Sequence, residues 1–284
     1  MLSTGQSIPG TAQVGLIYVN PHAQTPGASC AVCLGMAVAL APVISIHELR
    51  SHCSGCNLRE LCLPAGLDGT DLAELDRLVA RRRTLTRGDT LYLTGSDLAS
   101  LYAVRTGFLK SVVLHDDGRE QVAGFHMNGE VMGMDGIGAG KHQCDTIALE
   151  DSEVCEIPFA DLERLSREIP TLQSHFHRMM SREIAHDHGV MLLLGSMRAE
   201  ERLAAFLLNL SQRFAARGYS STQFNLRMTR EEIGSYLGLK LETVSRAFSQ
   251  LQDKGLLAVR NKAIDILDLP GLKALMGQNC HTPP

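Results

Sequence analysis

The first 47 residues contain no Asp, Glu, Lys or Arg, whereas the remainder of the 284-residue chain is densely charged. With no Lys or Arg ahead of Glu48 there is no basic start for a secretory leader, so the eight cysteines do not read as the disulfide framework of an exported protein. Reduced thiols in the cytoplasm are the expectation. Long apolar runs are scarce too. The uncharged stretch from Ala28 to Ile46 is rich in Ala, Gly and Ser, contains Pro42 and lacks basic flanks, so no membrane span is expected. No internal repeat is present, and no loop resembles those that cradle flavin, nicotinamide or nucleotide phosphates, which argues against an enzyme. For residues 1–47 the preferred expectation is a natural start at Met36, with a flexible terminal extension as the alternative. On the Met36 reading the Cys30-Cys33 pair is missing from the working protein.

What is present suits a two-domain globular protein: 44% apolar and 20% charged residues, at a length that gives each domain its own core. The net charge of -4 hides an asymmetry, since Arg198 to Leu269 carries 11 Lys plus Arg against 8 Asp plus Glu. The C-terminal part is therefore the better partner for a polyanion.

Apolar positions in Thr70 to Arg83 (TDLAELDRLVARRR) follow helical spacing and predict a short helix. From Thr84 to Phe159, short apolar runs alternate with turn signals such as RGD, TGSD and NGE, which predicts a compact β-roll or barrel. Pro170 to Met197 returns to helix over nearly eight turns. So long an element suggests a spine between two subunits, with an ordinary core helix as the alternative. His175, His177, His186 and His188 lie along it and, lacking an acidic partner set, are expected to be exposed helix residues rather than metal ligands.

In the C-terminal region AEERLAAFLLNLSQRFAARG reads as a helix closed by Gly218, followed by a second helix capped by Thr229 with Glu232 completing a capping box. Gly238 ends that helix. A third, Leu241 to Leu251, is expected to bury Leu241, Val244, Phe248 and Leu251 while Glu242, Ser245, Arg246 and Ser249 face outward. Helix, glycine turn and second helix make a helix-turn-helix, and the tail LLAVRNKAIDIL adds a hairpin wing. Arg246 can offer paired donors to guanine, Glu242 can accept from cytosine, and Ser245 can reach adjacent base edges.

Cys53, Cys56 and Cys62, spaced C-x2-C-x5-C, supply three soft ligands in ten residues, and a fourth must come from elsewhere. Spacing leaves both Cys144 and Cys155 open. A four-cysteine structural zinc site competes, although the usual zinc pattern pairs two CxxC units and this set has one. A redox dithiol at Cys53 and Cys56 is a further alternative.

The stretches TREEIGSYLGLKLETVSR, AEERLAAFLLNLSQRFAARG, GFHMNGEVMGMDGIG and VCEIPF resemble the FNR (fumarate and nitrate reduction) regulators of the cyclic AMP receptor protein superfamily, from about His52 to Leu269. The resemblance implies an α+β architecture: a cysteine-rich loop (48–66), an N-terminal cyclic-nucleotide-binding-like β-roll (67–169), a long dimerisation helix (170–197) and a C-terminal winged helix-turn-helix domain (198–284). It implies an oxygen-labile 4Fe-4S cluster on Cys53, Cys56, Cys62 and Cys155, the last in VCEIPF. It also implies an oxygen-sensing global transcription regulator that is a homodimer when anaerobic and binds TTGAT-N4-ATCAA through Glu242, Ser245 and Arg246.

Ile184 resembles a seam residue of the dimer, and Asp187 the position whose charge opposes pairing once the cluster is lost. RNA polymerase is the expected further partner, touched by exposed loops such as His115 to Glu120. Sister regulators bind cyclic AMP through an Arg-Ser pair after the GE loop. Here Gly129-Glu130 stays but the pair does not, so no cyclic nucleotide is expected. Lys240 stands where the family commonly has a capping threonine, which puts cap stability in question.

Overall fold

The computed structural model describes residues 53–79, 81–115 and 118–276. The uncharged segment, Met36 and the Cys30-Cys33 pair lie outside the described residues, as do positions 116 and 117 of the loop expected to face RNA polymerase.

Asp68 caps the first helix, α1 (Gly69–Leu78), by accepting from the amides of Thr70 and Asp71, and Leu72, Leu75 and Leu78 form its buried face. The helix expected to run to Arg83 stops there. Arg81–Leu85 is instead a strand, β1, whose three arginines are exposed and whose backbone pairs with a neighbour. Tertiary pairing overrides the local helical spacing.

The roll continues with β2 (Thr90–Tyr92), β3 (Ser100–Thr106), β4 (Phe108–Leu114), β5 (Glu120–Met127), β6 (Val131–Met132), β7 (Asp145–Ala148) and β8 (Ser152–Pro158). Two antiparallel four-stranded sheets face each other, in the orders β1-β8-β3-β6 and β2-β7-β4-β5. The register sets Cys155 of β8 between Arg82 of β1 and Ala103 of β3.

The short helix α2 (Phe159–Glu168) leads to α3 (Pro170–Ser196), whose first residue is a proline, the position where a missing amide costs nothing. At 27 residues α3 is about 40 Å long. Only Leu172 and His175 on it are fully buried, while Ile184, Met191 and Leu192 are each more than half exposed. Within one subunit, therefore, an apolar row of α3 stays uncovered.

The remaining elements are α4 (Ala199–Ala216), β9 (Gln223–Asn225), α5 (Arg230–Leu237), α6 (Leu241–Asp253), β10 (Leu257–Arg260), β11 (Ala263–Ile266) and α7 (Leu269–Ala274). The wing has three strands in the order β10-β11-β9, one more than the expected hairpin. Gly218, with φ of 77°, supplies the left-handed turn just after α4.

One apolar core lies under the cysteine loop, where Leu63, Leu67, Leu75, Leu101, Ile157 and Leu172 are almost wholly buried. A second runs without a break from Phe108, Val122 and Phe125 of the roll into Leu207, Ile233 and Phe248 of the C-terminal part. Sensor and reader are thus packed on each other inside one subunit.

Candidate cofactor site and DNA-reading helix

The cysteine loop folds as two 3-10 turns, Cys53–Gly55 and Arg59–Leu61, held by short-range bonds such as Cys56 N to Cys53 O (3.1 Å) and Cys62 N to Leu58 O (3.1 Å). Side-chain bonds fix its ends. The Asp76 carboxylate of α1 accepts from the Cys53 amide and from Ser54 Oγ, the latter at 3.0 Å. Arg59 Nη2 donates to Leu67 O at 3.0 Å. His175 Nε2 donates to Cys62 O at 3.1 Å.

The expectation of an exposed His175 is therefore corrected: it is buried, on the same face as Leu172, Phe176 and Met179. Burial holds its imidazole below the usual histidine range, so the neutral ring is the donor. Helical spacing carried this signal, since residue 175 falls three after Leu172 and four before Met179. His177 and His188 are exposed as expected, whereas His186 is half-buried and lies 3.4 Å from Tyr236 Oη.

Cys53, Cys56, Cys62 and Cys155 line one cavity together with Arg59, Arg105 and apolar side chains. All four are free and partly buried. Burial pushes the Cys62 thiol up to about 12. It raises Cys53 and Cys155 as well, and for Cys53 the neighbouring Cys62 and Asp76 add to the effect. Among the described residues no three His, Cys, Asp or Glu side chains converge closely enough to grip a single metal ion. The chemistry of the donor set nevertheless fits an anionic thiolate-held metal group: four cysteines line one space, no carboxylate lines it, and its two charged residues are arginines.

Cys144 is elsewhere. It is buried in the interior of the roll, where its Sγ donates to Asp135 Oδ2 at 3.4 Å, beside a Tyr92–His142 stack with ring centroids 3.8 Å apart.

At the reading end, Thr229 Oγ1 accepts from Glu232 N (3.1 Å) and Glu232 Oε2 accepts from Thr229 N (2.7 Å), completing the capping box of α5. Gly234 permits the close turn, because a Cβ there would lie 2.6 Å from Leu239 O. Gly238, at φ 63°, ends the helix. In α6, Val244, Ala247, Phe248 and Leu251 are buried, but Leu241 is 45% exposed and does not belong to the stripe. It is the first residue of its helix, with no preceding turn to cover it. Glu242 and Arg246 are exposed and Ser245 half-buried, at positions i, i+4 and i+3 of one solvent face. Lys240 makes no capping bond.

The Crp-like helix-turn-helix domain matches residues 201–275, and the cyclic nucleotide-binding domain matches residues 82–168. The transcriptional regulatory protein btr of Bordetella pertussis is 50% identical over 80% of this chain and 94% of its own length. The fumarate and nitrate reduction regulatory protein of Escherichia coli K12 is 46% identical over 80% of this chain and 90% of its own. The chain belongs to the CRP/FNR family of transcription regulators. Among solved structures, FixK2 from Bradyrhizobium japonicum covers 69% of the regulator and 96% of its own chain, with a TM-score of 0.63 and 32% identity. The regulator is thus a DNA-binding protein with an FNR-like architecture and not an enzyme. Among its described residues no helix is long and apolar enough to cross a membrane.

Proposed function

We propose that the regulator senses oxygen through a 4Fe-4S cluster held by Cys53, Cys56, Cys62 and Cys155. The observation that carries this reading is the common cavity of those four cysteines in a chain whose relatives include fumarate and nitrate reduction regulators. A bound cluster supplies an oxygen-labile tie between loop and strand. The protein's own part is to keep that tie ordered. Asp76 and His175 hold the loop ends, the apolar lining limits water, and Arg59 and Arg105 offset the negative charge of four thiolates.

In this reading the uncovered apolar row of α3, with Ile184, packs against its mate in a homodimer, and Asp187 sets the balance between monomer and dimer. Two copies of α6 then read the halves of TTGAT-N4-ATCAA through Glu242, Ser245 and Arg246, each base contact giving roughly 1–3 kcal/mol of discrimination. The loop from His115 to Glu120 faces RNA polymerase. No cyclic nucleotide belongs to the scheme, because the Arg-Ser pair that engages the phosphate in the sister regulators is missing after Gly129-Glu130.

The test is anaerobic purification with iron, sulfide and zinc analysis, then admission of air while operator binding is followed. About four irons and four sulfides per chain are expected, with DNA binding lost as they go. Stoichiometric zinc with oxygen-independent binding would replace the reading with a structural metal site.

A further inference from the structure

The turn between β5 and β6, Asn128-Gly129-Glu130, touches both the cysteine loop and the DNA-binding domain. We propose that this turn is a direct link inside one subunit, through which the arrangement of the cysteine loop positions α4 and the reading helix, with Glu130 as the positioning residue.

On the sensor side Gly129, at φ 89°, sits so close beneath the loop that a Cβ there would lie 3.1 Å from Leu61 Cβ and 3.8 Å from Leu58 Cβ. Both leucines lie between Cys56 and Cys62, so the loop rests on the glycine. The turn is also bonded to β3 in both directions, Gly129 N to Val104 O (2.7 Å) and Val104 N to Glu130 O (2.9 Å). Val104 and its neighbours Ala103 and Arg105 line the cysteine cavity. A shift of the loop or of its cavity wall therefore acts on residues 128–130 without an intermediary.

On the reader side one carboxylate takes two guanidinium groups from the end of α4. Arg213 reaches Glu130 Oε1 at 3.0 Å and Oε2 at 2.6 Å, and Arg217 Nη2 reaches Oε1 at 2.6 Å. The same arginines donate to backbone oxygens of the roll, Arg213 to Phe125 O (2.6 Å) and Arg217 to Asn128 O (2.5 Å). Such a fork tolerates little displacement, because its strength depends on planar alignment at short range. The α4 helix carries the motion onward, since its Leu203 and Leu207 share a core with Val244 and Phe248 of α6. A second strut, Lys110 Nζ to Glu232 Oε1 (2.9 Å) with Ser235 Oγ accepting from Val122 N (2.8 Å), holds α5 on β4 and β5. The route differs from dimerisation, because none of its residues lies on α3.

What displaces the loop rests on the cysteine reading above; the link between turn and α4 does not, so it is measured first in the full-length iron-free protein by hydrogen exchange. Leu61→Ala, made on the loop alone, is expected to speed amide exchange at residues 213–218 at least about fivefold, as Glu130→Gln does, while residues 241–253, whose helix is displaced as a body with α4 rather than opened, keep their exchange rates. Wild-type rates at 213–218 in Leu61→Ala would overturn the proposal. In iron-loaded protein, Glu130→Gln should keep its iron and its dimer mass yet bind the operator about tenfold more weakly, and undiminished affinity would also overturn it. Arg217→Lys, which keeps the charge but loses the fork, repeats both measurements if Glu130→Gln does not fold. A chain that never takes up iron would sink the cysteine reading while leaving the exchange result standing.

Discussion

His126 shows how strongly a single side chain feels the joint between sensor and reader. Its Nε2 lies 2.8 Å from Ser111 Oγ, and burial, opposed by Glu130 and reinforced by Arg213 and His186, lowers its pKa to about 4. The unfolded chain, with an ordinary histidine near 6.5, therefore binds the extra proton. This contribution to stability is complete above about pH 6.5 and is lost as the pH falls toward 4. Between pH 7 and 5 the His126 share of the loss is about 2 kcal/mol, whereas Glu183, pushed up to about 7, titrates in the same window with the opposite sign, so the share is read as the difference between wild-type and His126→Gln urea midpoints of the iron-free protein at constant slope. His126→Gln, which keeps a partner for Ser111, should remove that loss; midpoints that run parallel to wild type between pH 7 and 5 would assign it to other groups. Neither His126 nor His175 could be placed in a buried network from composition, but the spacing of His175 on α3 already marked the buried face. Cys155 needed the topology. Spacing left it level with Cys144 and only the resemblance of VCEIPF preferred it, whereas the strand order sets one in the cavity and the other beside Asp135.

Among the elements, α5 and α6 were the most legible, because caps, glycine turn and buried stripe agree along a short span of sequence. The first strand was the least. RRR continues a helical spacing and is exposed, so nothing local reports that β8 supplies its backbone partners. Leu241 was misplaced for a related reason: a stripe drawn by period ignores that the first turn of a helix has no turn before it. The start of α6 also offers a test. Lys240 leaves its first amides without a side-chain acceptor, whereas a threonine at that position can accept one. Lys240→Thr is expected to stabilise the fold by about 1 kcal/mol in denaturant unfolding. If Lys240 also neutralises a phosphate, the same change lowers the salt dependence of operator binding by about one counterion. Greater stability with an unaltered salt slope would confine Lys240 to the cap and remove it from the DNA backbone.

At the scale of the whole molecule, the two proposals give two routes from the cysteine cavity to α6, and they make different demands on α3. The turn at Glu130 acts within a subunit, whereas α3 acts only when two subunits meet. In the proposed scheme the exposed apolar row, including Ile184, gives pairing its driving force, and Asp187, exposed three residues further along, opposes it once brought near its symmetry mate. Glu183, four residues before Asp187, adds a second carboxyl to the same face, but burial and the Asp187 charge push it up to about 7, so near neutral pH it carries only part of a charge and removing Asp187 relieves most of the repulsion. Asp187→Ala is accordingly expected to tighten the iron-free dimer at least about tenfold in sedimentation, a gain of about 1.4 kcal/mol, and to permit operator binding in air. The residual oxygen response of that variant separates the two routes. If dimerisation alone carries the signal, a variant that pairs without iron binds DNA equally with and without it. If the Glu130 turn also contributes, the paired iron-free form still binds more weakly than the iron-loaded one, and adding Glu130→Gln to Asp187→Ala erases that difference. An Asp187→Ala protein that stays monomeric in air would instead take the charge on α3 out of the switch.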